Sequence, residues 1–169
     1  MHPVTLQSLW IGASLVIALV LRLIPMGAEW EPWRPPWVLL TLLYWSMVLP
    51  HRVGVGVAWL TGLFVDAATG AVLGQHALGY GVTIYLMLRL HAQIRSFPLV
   101  QQAATVALLL LPYMSILLWV RGVAGHPPRS WDYWLPLLSA VPVWLVLTLA
   151  LGRLTRSLGA GPLTGDRST

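Results

Sequence analysis

The run LVQQAATVALLLLPYMSILLWV, residues 99–120, contains no Asp, Glu, Lys or Arg anywhere along its length. About 20 such residues in a helix cross a hydrocarbon core roughly 30 Å thick, so the run predicts a transmembrane helix. Working outward, the stretches 1–21, 35–51, 53–65, 67–88 and 133–152 are equally free of those four residue types. The whole chain of 169 residues is 57% hydrophobic and only 9% charged, with a mean hydropathy of +0.75. That composition excludes a soluble catalytic domain, an extended nucleic-acid surface and a long polar arm. Function must reside in helices and short loops.

Six spans are expected, at about 6–24, 37–49, 53–66, 71–90, 99–120 and 134–151. They form one transmembrane domain over 1–158 with a short cytoplasmic tail at 159–169. The predicted fold class is an all-α integral membrane protein, a compact six-transmembrane-helix bundle. The second and third spans are short. Thirteen residues cover about 20 Å, so this pair borrows flanking residues, sits in thinned membrane or is re-entrant; two short spans would bring Arg52 to the interface. Pro112, Pro136 and Pro142 are expected to kink the last two helices. Met1 to Leu21 lacks the basic start and small-residue cleavage site of a signal peptide and is expected to be a retained first span.

The formal charge is +5, and all ten basic residues are arginine, scattered singly. Such a pattern orients a membrane protein rather than gripping nucleic acid. With six spans, one side collects Arg52, Arg89, Arg95, Arg153, Arg156 and Arg167. The other collects Arg22, Arg34, Arg121 and Arg129 together with Glu29, Glu31 and Asp132. The arginine-rich side is expected to be cytoplasmic, which places both termini there. Trp30, Trp33, Trp37, Trp119, Trp131 and Trp134 then form an aromatic belt at the opposite interface. Arg89, His91, Arg95, Arg153 and Arg156 make a basic rim suited to anionic membrane lipid or to a cytoplasmic protein.

Gly54, Ala58, Gly62, Asp66, Gly70 and Gly74 recur every four residues. A stripe of small residues lets another helix approach closely, either inside the bundle or as a docking face for a partner. Asp66 adjoins two apolar runs with no polar loop around it. A carboxylate at membrane depth costs about 3 kcal/mol, so it requires a partner, water or a proton. Arg22, or the polar groups near Gln75 and His76, are the candidate partners. The alternatives are a substrate or partner contact and an ion pair or helix cap. No two histidines stand three or four apart and no cysteine is present, so neither a metal nor a cofactor is expected. No hydrolase or nucleotide-binding motif is present either.

The segment Leu49-Pro-His-Arg-Val-Gly-Val-Gly-Val-Ala-Trp-Leu-Thr-Gly-Leu-Phe-Val-Asp66, followed by Gly70 and Leu73-Gly-Gln-His-Ala-Leu78, resembles the bacterial rod shape-determining MreD family. The Arg89-Leu-His91 motif and the sequence Pro98-Leu-Val-Gln-Gln102 fit the same family, so the resemblance covers nearly the whole chain. It implies a non-enzymatic inner-membrane subunit of the elongation machinery that supports lateral peptidoglycan synthesis. The implied partners are MreC directly, and RodA, a class B penicillin-binding protein and MreB through the complex. It also implies a fold similar to the substrate-binding membrane subunits of energy-coupling-factor transporters. A second reading, a small-solute-binding subunit of a transporter, rests on Asp66, Gln75 and His76 near the outer mouth. A pocket of about 300 Å³ or more lined by those residues would favour it, and a mouth shut by Trp and Leu would favour the scaffold.

Overall fold

Residues 37–48, WVLLTLLYWSMV, have no polar face, and a helix apolar all round needs every side covered by protein or by lipid. The computed structural model, which describes residues 3–125 and 130–157, places this helix at the centre. Six α-helices are described: α1 (Pro3–Leu23), α2 (Trp37–Val48), α3 (Val55–Thr69), α4 (Gln75–Ser96), α5 (Leu99–Val123) and α6 (Leu135–Ser157). Short 3-10 turns at Glu31–Trp33 and Trp131–Trp134 precede α2 and α6. The expected tail 159–169, with Arg129 and Arg167 of the arginine asymmetry, lies outside the described residues.

Every residue of α2 from Val38 to Met47 is buried, with α1, α4 and α6 packed around it. At 12 residues it is about 18 Å long. Helix α3 packs on α4, α4 on α5, and α5 on α6. By contrast α1 packs mainly on α2 and buries only Ala18 fully among its described side chains. Its Leu9, Val16, Ile17 and Val20 are more than half exposed, an apolar surface that water would not tolerate on a free-standing domain. Helices α1 and α2 are nevertheless tied together by the Trp45 indole, which donates to Ser14 Oγ at 2.8 Å.

Successive helices alternate in direction. Arg22 at the end of α1, Trp37 opening α2, His76 opening α4, Arg121 ending α5 and Tyr133 before α6 all line one cavity. Asp66, near the end of α3, touches His76 at that same end. At the other end, Arg52 donates to Ser8 Oγ at 3.0 Å. There too Gln102 Nε2 donates to the Ile94 carbonyl at 3.2 Å while its Oε1 accepts from the Trp144 indole at 3.1 Å.

Among the described residues three helices are long and apolar enough to cross a membrane by themselves: Leu6–Leu23, Leu99–Val123 and Trp131–Arg153. Six were expected. The difference has a plain cause: α2 and α3 are short, with 12 and 15 residues, and the far end of α4 carries Arg89, His91, Gln93 and Arg95.

Pro112 and Pro142 lie within α5 and α6. Pro136 does not interrupt α6, because it is the second residue of that helix. There a missing N–H breaks no intrahelical bond.

Candidate functional site

The first turn of any helix leaves backbone N–H groups without intrahelical acceptors, and in an apolar surrounding each must find one. For α4 the acceptor comes from the preceding helix. Asp66 is fully buried; its Oδ2 accepts from the Gly74 N–H at 2.9 Å and its Oδ1 from the His76 N–H at 2.9 Å. The Ala77 N–H donates to Oδ2 at 3.4 Å. The same carboxylate holds the imidazole, with His76 Nδ1 2.7 Å from Oδ1. A carboxylate at a helix N-terminus is also favoured by the aligned peptide dipoles. Asp66 thus caps α4 across the connection, and the charge that looked costly in the sequence is the group that closes the α3–α4 hairpin.

The connection itself needs glycine twice. Gly70 ends α3 at φ +65° and Gly74 precedes α4 at φ +95°, a region that side chains with a Cβ avoid. The residues of the four-residue stripe therefore have different jobs. Ala58, Gly62 and Asp66 are buried in α3, and a Cβ on Gly62 would fall onto the Ala77 backbone, 2.5 Å from its nitrogen and 2.7 Å from the His76 carbonyl carbon. Gly54 is extended backbone ahead of α3 at φ −95°, with open space around it. A side chain at Gly74 does not test docking, because the positive φ strains any substitution whether or not a partner is present.

Arg22 and Asp66 reach the same end of the bundle, but the arginine that carries structure there is Arg34. Its guanidinium, 9% exposed, donates through Nη1 to the Arg22 carbonyl oxygen. Through Nη2 it reaches the Ile24 carbonyl at 2.8 Å and Glu31 Oε2 at 2.7 Å. Arg34 thereby closes the C-terminus of α1. Nothing in the apolar pattern pointed to it; the i, i+3 spacing of Glu31 and Arg34 is the signal that could have. Arg34→Gln is expected to destabilise the protein by about 1.5–3 kcal/mol, read as an earlier thermal transition in detergent. Arg34→Lys should rescue little, since an ammonium cannot span three acceptors in a planar fork.

Between these groups lies a cavity of about 430 Å³. His76, Tyr80 and Tyr113 form an aromatic cluster in its wall, with ring centroids 5.6 to 6.3 Å apart. Arg22, Arg34 and Arg121 also line it. The Arg121 guanidinium lies 6.0 Å from the Tyr133 ring centre, and the Tyr133 hydroxyl donates to the Met114 carbonyl at 2.5 Å. Asp66 and Gln75 do not line the cavity. Asp66 sits behind His76, and Gln75, buried at 3% exposure, donates its backbone N–H to the Val72 carbonyl at 3.0 Å. Arg52 lies at the far end with Ser8. A second, apolar groove of about 470 Å³ separates α1 from α6 and is lined by Ile17, Leu21, Val143, Val146 and Leu147 among others.

Among the described residues no three His, Cys, Asp or Glu side chains gather as a metal site would require. What the arrangement offers chemically is a wall of guanidinium and aromatic groups with one oriented imidazole. The tyrosines were not singled out in the sequence, and Arg34 and Arg121 entered there only as orientation signals. The spacing of His76 and Tyr80, one helical turn apart, is the only local sign that they share a wall.

Residues 4–153 match a family model described as rod shape-determining protein MreD. The rod shape-determining protein MreD of Haemophilus influenzae is 35% identical over 103 residues, covering 61% of this chain and 64% of that protein. The aligned part is thus less than two thirds of the relative's length. No solved structure matches the chain, and the likeness to energy-coupling-factor subunits stays an implication of the resemblance. With a family match running from the first helix to near the end of the last, over a bundle with minimal loops, the chain belongs to the MreD family.

Proposed function

We propose that this chain is a non-enzymatic scaffold of the bacterial inner membrane that supports rod shape and lateral peptidoglycan synthesis. The observation that carries the reading is the family match across residues 4–153. MreC is the direct partner in this proposal, and RodA, the class B penicillin-binding protein and MreB are reached through the complex. The exposed apolar faces of α1 and α6 and the groove between them support lateral association within a bilayer. Depletion in a rod-shaped host is expected to round the cells. Cells that stay rod-shaped after loss of the protein would refute the role.

The proposal includes six passes with both termini cytoplasmic, and a bundle similar to the substrate-binding subunits of energy-coupling-factor transporters. The alternating helix directions support six crossings, and the exposed Trp30, Trp33, Trp119 and Trp131 suit headgroup depth at the outer side. Reporter fusions after residues 30, 52, 68 and 94 should report outside, inside, outside and inside in turn. An outside signal at 52 would make α2 and α3 a re-entrant pair.

A second reading has a specific observation behind it: the cavity of about 430 Å³ with His76 in its wall exceeds the size a small solute needs. Loss of uptake of a nutrient with unchanged cell shape would favour that small-solute-binding transporter subunit over the scaffold.

A further inference from the structure

Among the described residues that line the cavity, two buried polar atoms have no partner, Arg34 Nε and His76 Nε2. His76 Nε2 makes no hydrogen bond, although the residue is only 2% exposed and lines the cavity. Its ring cannot turn to relieve this, because Nδ1 is held 2.7 Å from Asp66 Oδ1. Asp66 accepts, so Nδ1 carries the proton. In the neutral ring Nε2 therefore carries an unshared lone pair within the residue that lines the cavity, and in the imidazolium it carries an N–H.

The surrounding charges decide what would satisfy it. Five charged side chains line the cavity: Arg22, Arg34, Arg121, Glu31 and Asp132. Glu31 is taken by Arg34, and Arg34 is further committed to two backbone carbonyls. Asp132 stands exposed at the rim. Among the described residues the only carboxylate pairs with basic groups are Arg34 with Glu31 and His76 with Asp66. Arg22 and Arg121 are thus the guanidinium groups available to a ligand. Guanidinium pairs suit the oxygens of a phosphate. A hydroxyl on the same ligand would donate to Nε2, and the Tyr80 and Tyr113 rings would take its carbon face.

We infer that this cavity binds a phosphate group carried on a small polyol, with Arg22 and Arg121 holding the oxyanion and His76 Nε2 meeting a ligand hydroxyl. Two sources share that chemistry. One is the headgroup of a glycerol phospholipid, which the exposed Trp30, Trp119 and Trp131 at this end would place at the right depth. The other is a free glycerol phosphate. The inference does not depend on whether the chain acts as a scaffold or in transport.

The test uses the full chain in nanodiscs of phosphatidylglycerol mixed with phosphatidylcholine, and in nanodiscs of phosphatidylcholine alone. Retained lipid is read by native mass spectrometry after transfer to detergent, and glycerol 1-phosphate binding by calorimetry. Retention of phosphatidylglycerol, lowered at least tenfold in the Arg22→Gln/Arg121→Gln pair and unchanged in Arg52→Gln at the opposite end, supports a lipid source. Binding of glycerol 1-phosphate in phosphatidylcholine, lost in the same pair, supports a free phosphate. His76→Asn, which keeps an amide donor for Asp66 but removes Nε2, should weaken either binding even if the arginine pair proves unstable. The inference is overturned if neither probe binds, or if Arg52→Gln lowers binding as much as the cavity variants do.

Discussion

Replacing Asp66 by alanine is expected to be the most damaging single change to a side chain outside the apolar core, destabilising the protein by about 3–5 kcal/mol. The carboxylate accepts from the N–H groups of Gly74, His76 and Ala77 and from the His76 ring. Its removal strands several donors at once, and the His76 and Ala77 donors among them are buried. The loss should appear as a much lower midpoint of unfolding in detergent and as poor expression. Asp66→Asn, which keeps one oxygen, should cost less. A double-mutant cycle identifies the partner: Asp66→Ala with His76→Ala should be strongly non-additive, whereas Asp66→Ala with Arg22→Ala should be additive, since no bond joins Asp66 to the Arg22 side chain. A loss below about 1 kcal/mol for Asp66→Ala would remove the capping role altogether.

The glycines of the stripe should separate into distinct outcomes. Gly62→Leu, and even Gly62→Ala, forces a side chain against the Ala77 backbone, which unlike a flexible side-chain tip cannot swing aside. The expected cost is about 1–3 kcal/mol for alanine, with leucine worse. Expression of the isolated subunit should fall whether or not partners are co-expressed. Gly70→Ala and Gly74→Ala should cost about 1–2 kcal/mol each through the left-handed backbone alone, despite open space at both positions. Gly54→Ala, with an ordinary φ and no neighbour, should stay within about 0.5 kcal/mol of the parent. Equal effects at Gly54 and Gly62 would mean that the α3–α4 contact is not where the small residues matter.

The sequence by itself determined that the chain is helical and apolar and that Asp66 needs a partner, whereas α4 and α6 run about six residues past the ends expected at 90 and 151. The properties so determined are local: hydropathy over a window, proline and glycine punctuation, and the cost of a charge in hydrocarbon. Tertiary structure alone decided which apolar helix is the core. Helices α1 and α2 read alike as uncharged runs, yet α2 is covered on every side and α1 lies at the edge. Burial depends on what faces a helix, and in a membrane lipid and protein are equally acceptable to leucine, so composition does not tell an inner helix from an outer one. The same reason hid the cavity. Arg22, His76, Arg121 and Tyr133 are far apart in the chain and meet only because antiparallel packing returns the end of one helix to the start of the next. Gly62 and Gly74 fell on one four-residue repeat, but only the fold shows a contact at the first and a left-handed turn at the second. A repeat records spacing along one chain, whereas close approach and backbone handedness are set by the neighbouring helix and by the turn that reaches it.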